Sequence, residues 1–380
     1  MTDASFPEKL KIRLRQRAAS GLLRTLKQDE ALIDFCSNDY LGFARDMRIH
    51  HEAIDTFSKS SSPLNGATGS RLIRGNSRLA QELEVWLANF HHAESALLFN
   101  SGYDANLGFF SAVPQRDDTI LYDRLIHASV HDGMRLSHAR SVAFKHNDVN
   151  DLRRLMEKAS GQVYIVVESL YSMDGDRAPL AELAALCKET GALLVVDEAH
   201  ATGIFGPQGA GLSVDEAILP YCIARIYTFG KALGSHGAVV VGSSYLHDYL
   251  VNFARSFIYS TALPPFELHT IRSAYSRLLS SNEPQLQLLE TIQVFRSCVD
   301  AHPNIRFLPA DGPIQGVLIP GNSKALHAAA FLQSNGMDVR AILSPTVPEG
   351  MERLRICLHS FNTPDDVRKL FELLETIPTV

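Results

Sequence analysis

The chain has 380 residues, 46% of them hydrophobic and 21% charged. That composition excludes wholesale disorder, and the length calls for one large domain plus a smaller one rather than a single small core. A formal net charge of −6, with no basic block, argues against nucleic acid or an anionic membrane as the main partner.

The opening MTDASFPEKLKIRLRQR places charges where a signal peptide needs an apolar core, so no secretion signal is expected. The first thirty residues predict a helix with Arg and Lys on one side and Leu10, Ile12, Leu14, Leu22 and Leu23 among its apolar positions. ALIDFCSNDYLG then predicts a short strand, a polar turn and a stop at Gly42. Residues 61–77 are rich in Ser and Gly, and a loop of that length inside a compact domain is usually functional or flexible.

From residue 78 the pattern becomes regular. LAQELEVWLANFHH predicts a helix, with His91 and His92 expected at its exposed end. SALLF, TILYD, VYIVVE, LLVVD, ARIYT and GAVVVG predict strands, and HASVHDGMRLS and LAELAALCKETG predict helices, the latter with Cys187 in the core and Gly191 in the stop position. Strands alternating with helices predict βαβ units and a mostly parallel sheet covered on both faces. ALPPFEL punctuates the chain near residue 265. A long helical stretch to about 302 follows, then strands such as GVLIPG and RLRICL with helices between. The predicted division is an N-terminal helix and short strand (1–50), a large α/β domain (51–265) and a smaller α+β domain (266–380). The longest apolar runs are strand-sized, far short of a membrane span. Five cysteines, an odd number with no CxxC pair, suit a reducing cytoplasm and make a structural metal or disulfide framework unexpected.

Four turns at strand ends carry candidate chemistry. LLVVDEAHATG delivers Asp197 and His200 to the end where open α/β sheets bind ligands. DEAH also occurs in helicases, but no GxxxxGK[ST] loop accompanies it here, which removes the ATPase reading. YTFGKALG places Lys231 in a glycine-flanked turn, three residues after Thr228. Partial burial would lower the pKa of that amine and suit it to Schiff-base chemistry. FNSGYDAN runs from a strand into a helix start at Ser101-Gly102-Tyr103, where free N–H groups bind phosphate. In DRLIHASVHDG, His127 opens a helix and could stack on a flat ring. Taken singly, each has a blander reading: an N-cap, a surface lysine, an ordinary turn, a polar helix start.

In chain order at successive strand ends, the four resemble the fold-type I enzymes that use pyridoxal 5′-phosphate. SNDYLG (37–42), SMDGDRAPLAEL (172–183), VDEAHATG (196–203), TFGKALG (228–234) and PTVPEGMERLRI (345–356) resemble the α-oxoamine synthase family over nearly the whole chain. HNDV (146–149), SFIYSTALPP (256–265) and the PTVP run are most similar to the member serving biotin synthesis.

The resemblance implies a fold-type I transferase with a mostly parallel central sheet and a smaller α+β C-terminal domain. It implies a decarboxylative condensation of L-alanine with a pimeloyl thioester, either pimeloyl-CoA or pimeloyl-acyl carrier protein. Lys231 would carry the cofactor and shuttle the α-proton, and Asp197 would pair with the ring nitrogen. His127 would stack on the ring, while His200 and Ser172 would contact its phenolic oxygen or the surroundings of that oxygen. Gly102, Tyr103 and Thr228 would hold the phosphate. Asn38 and Arg355 would hold the amino-acid carboxylate, since a guanidinium fork binds a carboxylate at two points. Ser70 would leave room for the methyl of alanine, and Arg24 would stand near the acyl entrance. No metal is implied. A cytoplasmic homodimer is, with loop 61–77 beside the partner's cofactor.

One departure stands out. Some family members carry Arg just before PTVP, where this chain has Leu343 in AILSP, which leaves open how the distal carboxylate of the acyl group is bound. The alternatives are a sister synthase using glycine or serine with another acyl-CoA, or an inactive homologue. The intact set of Asp197, Thr228 and Lys231 argues against the last.

Overall fold

The computed structural model describes residues 6–26, 31–60 and 63–377. Thirteen α-helices and twelve strands are found among them. Helix α1 (Glu8–Ala19) is followed by β1 (Ile33–Asp34), α2 (Met47–Ser58) and α3 (Arg78–Phe90). The regular part runs β2 (Ser95–Phe99), α4 (Gly102–Ala112), β3 (Thr119–Asp123), α5 (Ala128–Leu136), β4 (Arg140–Phe144), α6 (Val149–Met156), β5 (Val163–Glu168), α7 (Leu180–Thr190), β6 (Leu193–Asp197), β7 (Cys222–Thr228) and β8 (Ala238–Gly242). Helices α8 (Ser244–Phe253), α9 (Arg255–Ile258), α10 (Pro265–Ser280) and α11 (Glu283–Ala301) lead to β9 (Ile314–Leu318), α12 (Asn322–Ser334), β10 (Met337–Asp338), β11 (Arg340–Ile342), β12 (Arg353–Cys357) and α13 (Pro364–Glu375).

The central sheet has seven strands in the order β2-β8-β7-β6-β5-β3-β4. Strand β8 is antiparallel to both neighbours, and the pairs β7/β6, β6/β5, β5/β3 and β3/β4 are parallel. The mostly parallel sheet expected from the βαβ pattern is therefore present. Strands β5 and β6 are buried along almost their whole length because helices cover both faces, which explains their unbroken apolar runs. Helix ends follow local chemistry. Ser101 caps α4 by accepting from Asp104 N–H, and Gly191 closes α7 at φ +73°. A second sheet, β11-β12-β9, is antiparallel, and β1 pairs with β10. One apolar cluster joins Phe35, Leu83, Tyr227, Leu268, Leu354 and Phe371, tying the N-terminal segment, the central sheet and the C-terminal elements together.

Two local expectations change. The opening helix is confined to Glu8–Ala19, and the parts of that reading on residues 1–5 and 27–30 lie outside the described residues. His91 is fully buried rather than exposed. Its ring stacks on Tyr227 with centroids 3.7 Å apart, and its two nitrogens lie 3.1 Å from the Ala210 carbonyl and 2.8 Å from the Tyr275 hydroxyl. Helix α3 ends against the body of the protein, so its end is covered; His92 stays exposed. Among the described residues, no helix is long and apolar enough to cross a membrane.

Candidate functional site

Because the parallel strands share a direction, their C-terminal ends lie along one edge of the sheet. Asp197 ends β6, and its register partner on β5 is Glu168. Thr228 ends β7, with Lys231 in the turn beyond, and β2 hands over to the N-terminus of α4. Together they border a cleft whose lining includes Gly102, Tyr103, His127, Asp197, His200, Thr228 and Lys231. Seven of the candidate residues, far apart in the chain, are thus brought together.

Each is held in a defined way. Asp197 is buried; one carboxylate oxygen accepts from Ala199 N–H at 2.9 Å and the other from the Asn106 amide at 2.9 Å. Lys231 has its pKa lowered by burial and by Arg355, with Asp197 and Glu168 opposing. Burial likewise lowers His127, Asp197 pulling it up and Lys231 adding to the fall. The Nδ1 of His127 accepts from Ser129 N–H at 3.2 Å and lies 2.8 Å from Ser129 Oγ. His200 is held well below the usual imidazole range by burial and by the cations Lys231 and Arg355, so it is neutral.

A hydrogen-bonded chain extends from the cleft toward the C-terminal strands. His200 Nδ1 lies 2.8 Å from the Tyr40 hydroxyl, which donates to Asn38 Oδ1 at 3.0 Å. Arg355 donates to the same Asn38 oxygen at 3.0 Å and, through Nε, to the Ser172 carbonyl at 2.7 Å. Ser172 in turn donates its N–H to Glu168 at 3.2 Å. Asn38, Ser172 and Arg355 therefore adjoin the cleft through these bonds.

Ser70 and Arg24 stand elsewhere in the chain's fold. Ser70 is buried at the start of a short helical turn, Arg71–Gly75, and its carbonyl accepts from the N–H groups of Ile73, Arg74 and Gly75. That turn is anchored by Arg71, which pairs with Glu84 through two bonds of 2.8 Å. Arg24 is exposed in the segment after α1. Neither lines the cleft within one chain.

Sequence reasoning missed Glu168, Asn106 and Tyr40. The carboxyl of Glu168 has its pKa raised by burial and by the neighbouring Asp197 charge, with Lys231 drawing it back. Its signal was available: like Asp197, it is a carboxylate closing an apolar strand. Asn106 had no sequence signal, because only the docking of α4 on the sheet aims its amide at Asp197.

The residues fit a flat, phosphate-bearing ring. The hydroxyl of Thr228 is buried with no hydrogen-bond partner among the described residues, and the same holds for Glu168 Oε1 and Asn106 Oδ1. The first N–H groups of α4 have no carbonyl of their own helix to bond. A Cβ at Gly102 would fall 2.4 Å from the Thr228 methyl, so only glycine lets this backbone approach so closely. A bound anion would take up the Thr228 hydroxyl and the free N–H groups of α4.

The profile of the family described as aminotransferase class I and II matches residues 30–374. The chain belongs to that family. Within it, an 8-amino-7-oxononanoate synthase of Emericella nidulans is 41% identical over 367 residues, 90% of this chain and 89% of its own. One of Marinobacter nauticus is 39% identical over 377 residues, 95% and 94% of the two chains. Among solved structures, a serine palmitoyltransferase variant from S. paucimobilis, with a bound PLP–myriocin aldimine, superposes with a TM-score of 0.88 at 26% identity, covering 97% and 96% of the two chains. The 8-amino-7-oxononanoate synthase of Francisella tularensis superposes with a TM-score of 0.78 at 30% identity, covering 91% and 97%. A family member with a different acyl substrate thus overlays at least as well, so backbone similarity alone does not choose between them.

Proposed function

We infer that the chain is an acyltransferase that uses pyridoxal 5′-phosphate to condense L-alanine with a pimeloyl thioester, releasing CO2, a free thiol and 8-amino-7-oxononanoate for biotin synthesis. The observation that carries this reading is the convergence of Lys231, Asp197, His127 and the unpartnered Thr228 hydroxyl on one cleft at the start of α4. The overall similarity to 8-amino-7-oxononanoate synthases of two organisms supports the choice of substrates.

When bound, the cofactor supplies an electrophilic carbon for the amine and a sink for the carbanion electrons. The protein's residues do the rest. Gly102 and Tyr103 N–H groups, with Thr228, would hold the phosphate. Asp197, locked by Ala199 and Asn106, would keep a proton on the ring nitrogen. His127 would pack on the ring face. Neutral His200 and Ser172 would serve its phenolic oxygen. Lys231, its pKa lowered by burial, is suited to take the α-proton from alanine and return one at the end. Arg355 and Asn38 would clamp the alanine carboxylate before it leaves as CO2. Excluding water from this buried set strengthens each charge interaction.

The enzyme would work as a cytoplasmic homodimer, with Ser70 and loop 61–77, of which residues 61 and 62 lie outside the described residues, reaching the partner's site. Arg24 would stand near the acyl entrance. A sister activity with serine or glycine is the second reading, favoured by the overlay on serine palmitoyltransferase. Thiol release with alanine, glycine and serine against pimeloyl, acetyl, succinyl and palmitoyl donors separates the two. Turnover is expected with alanine and a pimeloyl donor, on either CoA or carrier protein. Higher specificity for another pair would replace this reading with the sister one.

A further inference from the structure

His146 lies outside the cleft and has no part in the chemistry above, yet it is bonded at both ring nitrogens to carboxylates. Its Nδ1 lies 2.9 Å from Asp123, which ends β3, and its Nε2 lies 2.7 Å from Asp176. Asp123 is fully buried. The next residue, Asn147, repeats the connection: its N–H donates to Asp123 at 2.9 Å, and its amide donates to Asp176 at 2.8 Å and to the Arg177 carbonyl at 3.0 Å. Asn147 takes a left-handed backbone at φ +53° to do so. The ring of Tyr171 stands edge-on against His146 with centroids 4.5 Å apart. The two carboxylates belong to different parts of the chain. Without a cation between them, they would repel across a site that is closed to water at Asp123 and partly open at His146 and Asp176.

What this clasp holds is the segment 172–177. That segment meets the C-terminal sheet at two arginines of β12. Arg353 bonds Asp174 at 2.6 Å, and Arg355 bonds the Ser172 carbonyl at 2.7 Å. Gly175 packs so closely on the Ile314 carbonyl that a Cβ there would lie 2.1 Å from it. Arg355 thus takes one of its fixed directions from a carbonyl at the other end of the segment that the clasp holds.

We propose that His146 is a positioning residue: by bridging Asp123 and Asp176 it locks segment 172–177 and so aims Arg355 at the carboxylate of the amino-acid substrate. This rests on the reading of Arg355 as the carboxylate clamp. A residue acting this way affects the binding of one substrate, whereas a purely structural one lowers activity with both equally.

The test uses the full-length holoenzyme with His146→Gln and, because that change leaves two facing carboxylates, Asp176→Asn as a milder break of the same link. Arg355→Lys is measured alongside. In His146→Gln, amide hydrogen exchange in 171–177 should rise at least about tenfold, while helix α13 keeps its protection. The KM for alanine should rise roughly 10- to 100-fold, as expected for a displaced binding group, with the KM for the thioester within about twofold. Asp176→Asn should move both readouts in the same direction, by less. Unchanged exchange in 171–177 in both variants overturns the clasp. Equal rises in both KM values reduce His146 to a structural role and overturn the proposal. A raised alanine KM in Arg355→Lys but not in the clasp variants overturns the role of His146 alone. An unchanged alanine KM in Arg355→Lys overturns the carboxylate clamp, and with it this use of the loop.

Discussion

Lys231 shows how one residue type acquires a chemistry from its surroundings. An exposed lysine is a cation at neutral pH and cannot act as a base. Here burial opposes the charge, and two carboxylates, Asp197 and Glu168, only partly restore it. Replacing Lys231 with Ala should lower kcat by about 10³-fold or more while the thermal midpoint stays within a few degrees of wild type. Steady-state rates and a melting curve on the same preparation check this; near wild-type turnover would remove Lys231 from the chemistry. The lysine was legible in the sequence because its glycine-flanked turn follows a strand. Glu168 carried the same strand-end signal as Asp197, but only the sheet register shows that the two lie opposite each other.

At the scale of elements, the loop between β5 and α7 is held by a titratable group. Burial pushes the imidazole of His146 down, but the hydrogen bonds and charges of Asp123 and Asp176 outweigh it and carry the pKa up to about 10 from 6.5. Tyr171, also packed on the ring, is kept neutral by burial and by Asp123. Asp148, Arg153 and Glu182 border the open side of the same group. A pKa raised in the folded state adds stability that is complete below pH 6.5 and is lost as pH rises toward about 10. The thermal midpoint of the cofactor-free protein should therefore fall between those limits, and His146→Gln should flatten that fall. Equal slopes in the two proteins would show that the clasp carries no charge. The HNDV run carried the family resemblance in the sequence, but its bonds to Asp123 and Asp176 depend on three separate segments meeting.

On the scale of the whole molecule, several apolar side chains stand exposed on the turn after Ser70 and near α8 and α9. Ile73 is 85% exposed and Leu72 54%, on the turn that follows Ser70. Phe253 and Tyr259, in and just beyond the α8–α9 region, are exposed as well. Exposed apolar side chains on the turn that carries Ser70 are where a partner surface would be sought. Ser70 and the turn after it do not line the cleft of their own chain, and the homodimer proposed above would give them a use at the partner's site. Ile73→Asp should convert a dimer into a monomer in sedimentation at assay concentration and abolish turnover in parallel. A variant that is monomeric and fully active would detach the patch from the site.

The sequence by itself determined the element types of the central α/β region, the mostly parallel sheet and the chemistry expected at its strand ends. It did so because apolar periodicity, glycine stops and strand-end residues are local, and local patterns survive in one dimension. Only the tertiary structure decided which groups complete the site. The amide of Asn106 reaches Asp197, Tyr40 bridges Asn38 to His200, and His91 is buried instead of exposed. The bonds to Asp197 and His200 join residues 91 and 160 positions apart, and the burial of His91 depends on a helix end covered by distant chain. Burial and charge, which set the pKa of Lys231 and His146, are properties of packing, and packing has no signature in any single stretch of sequence.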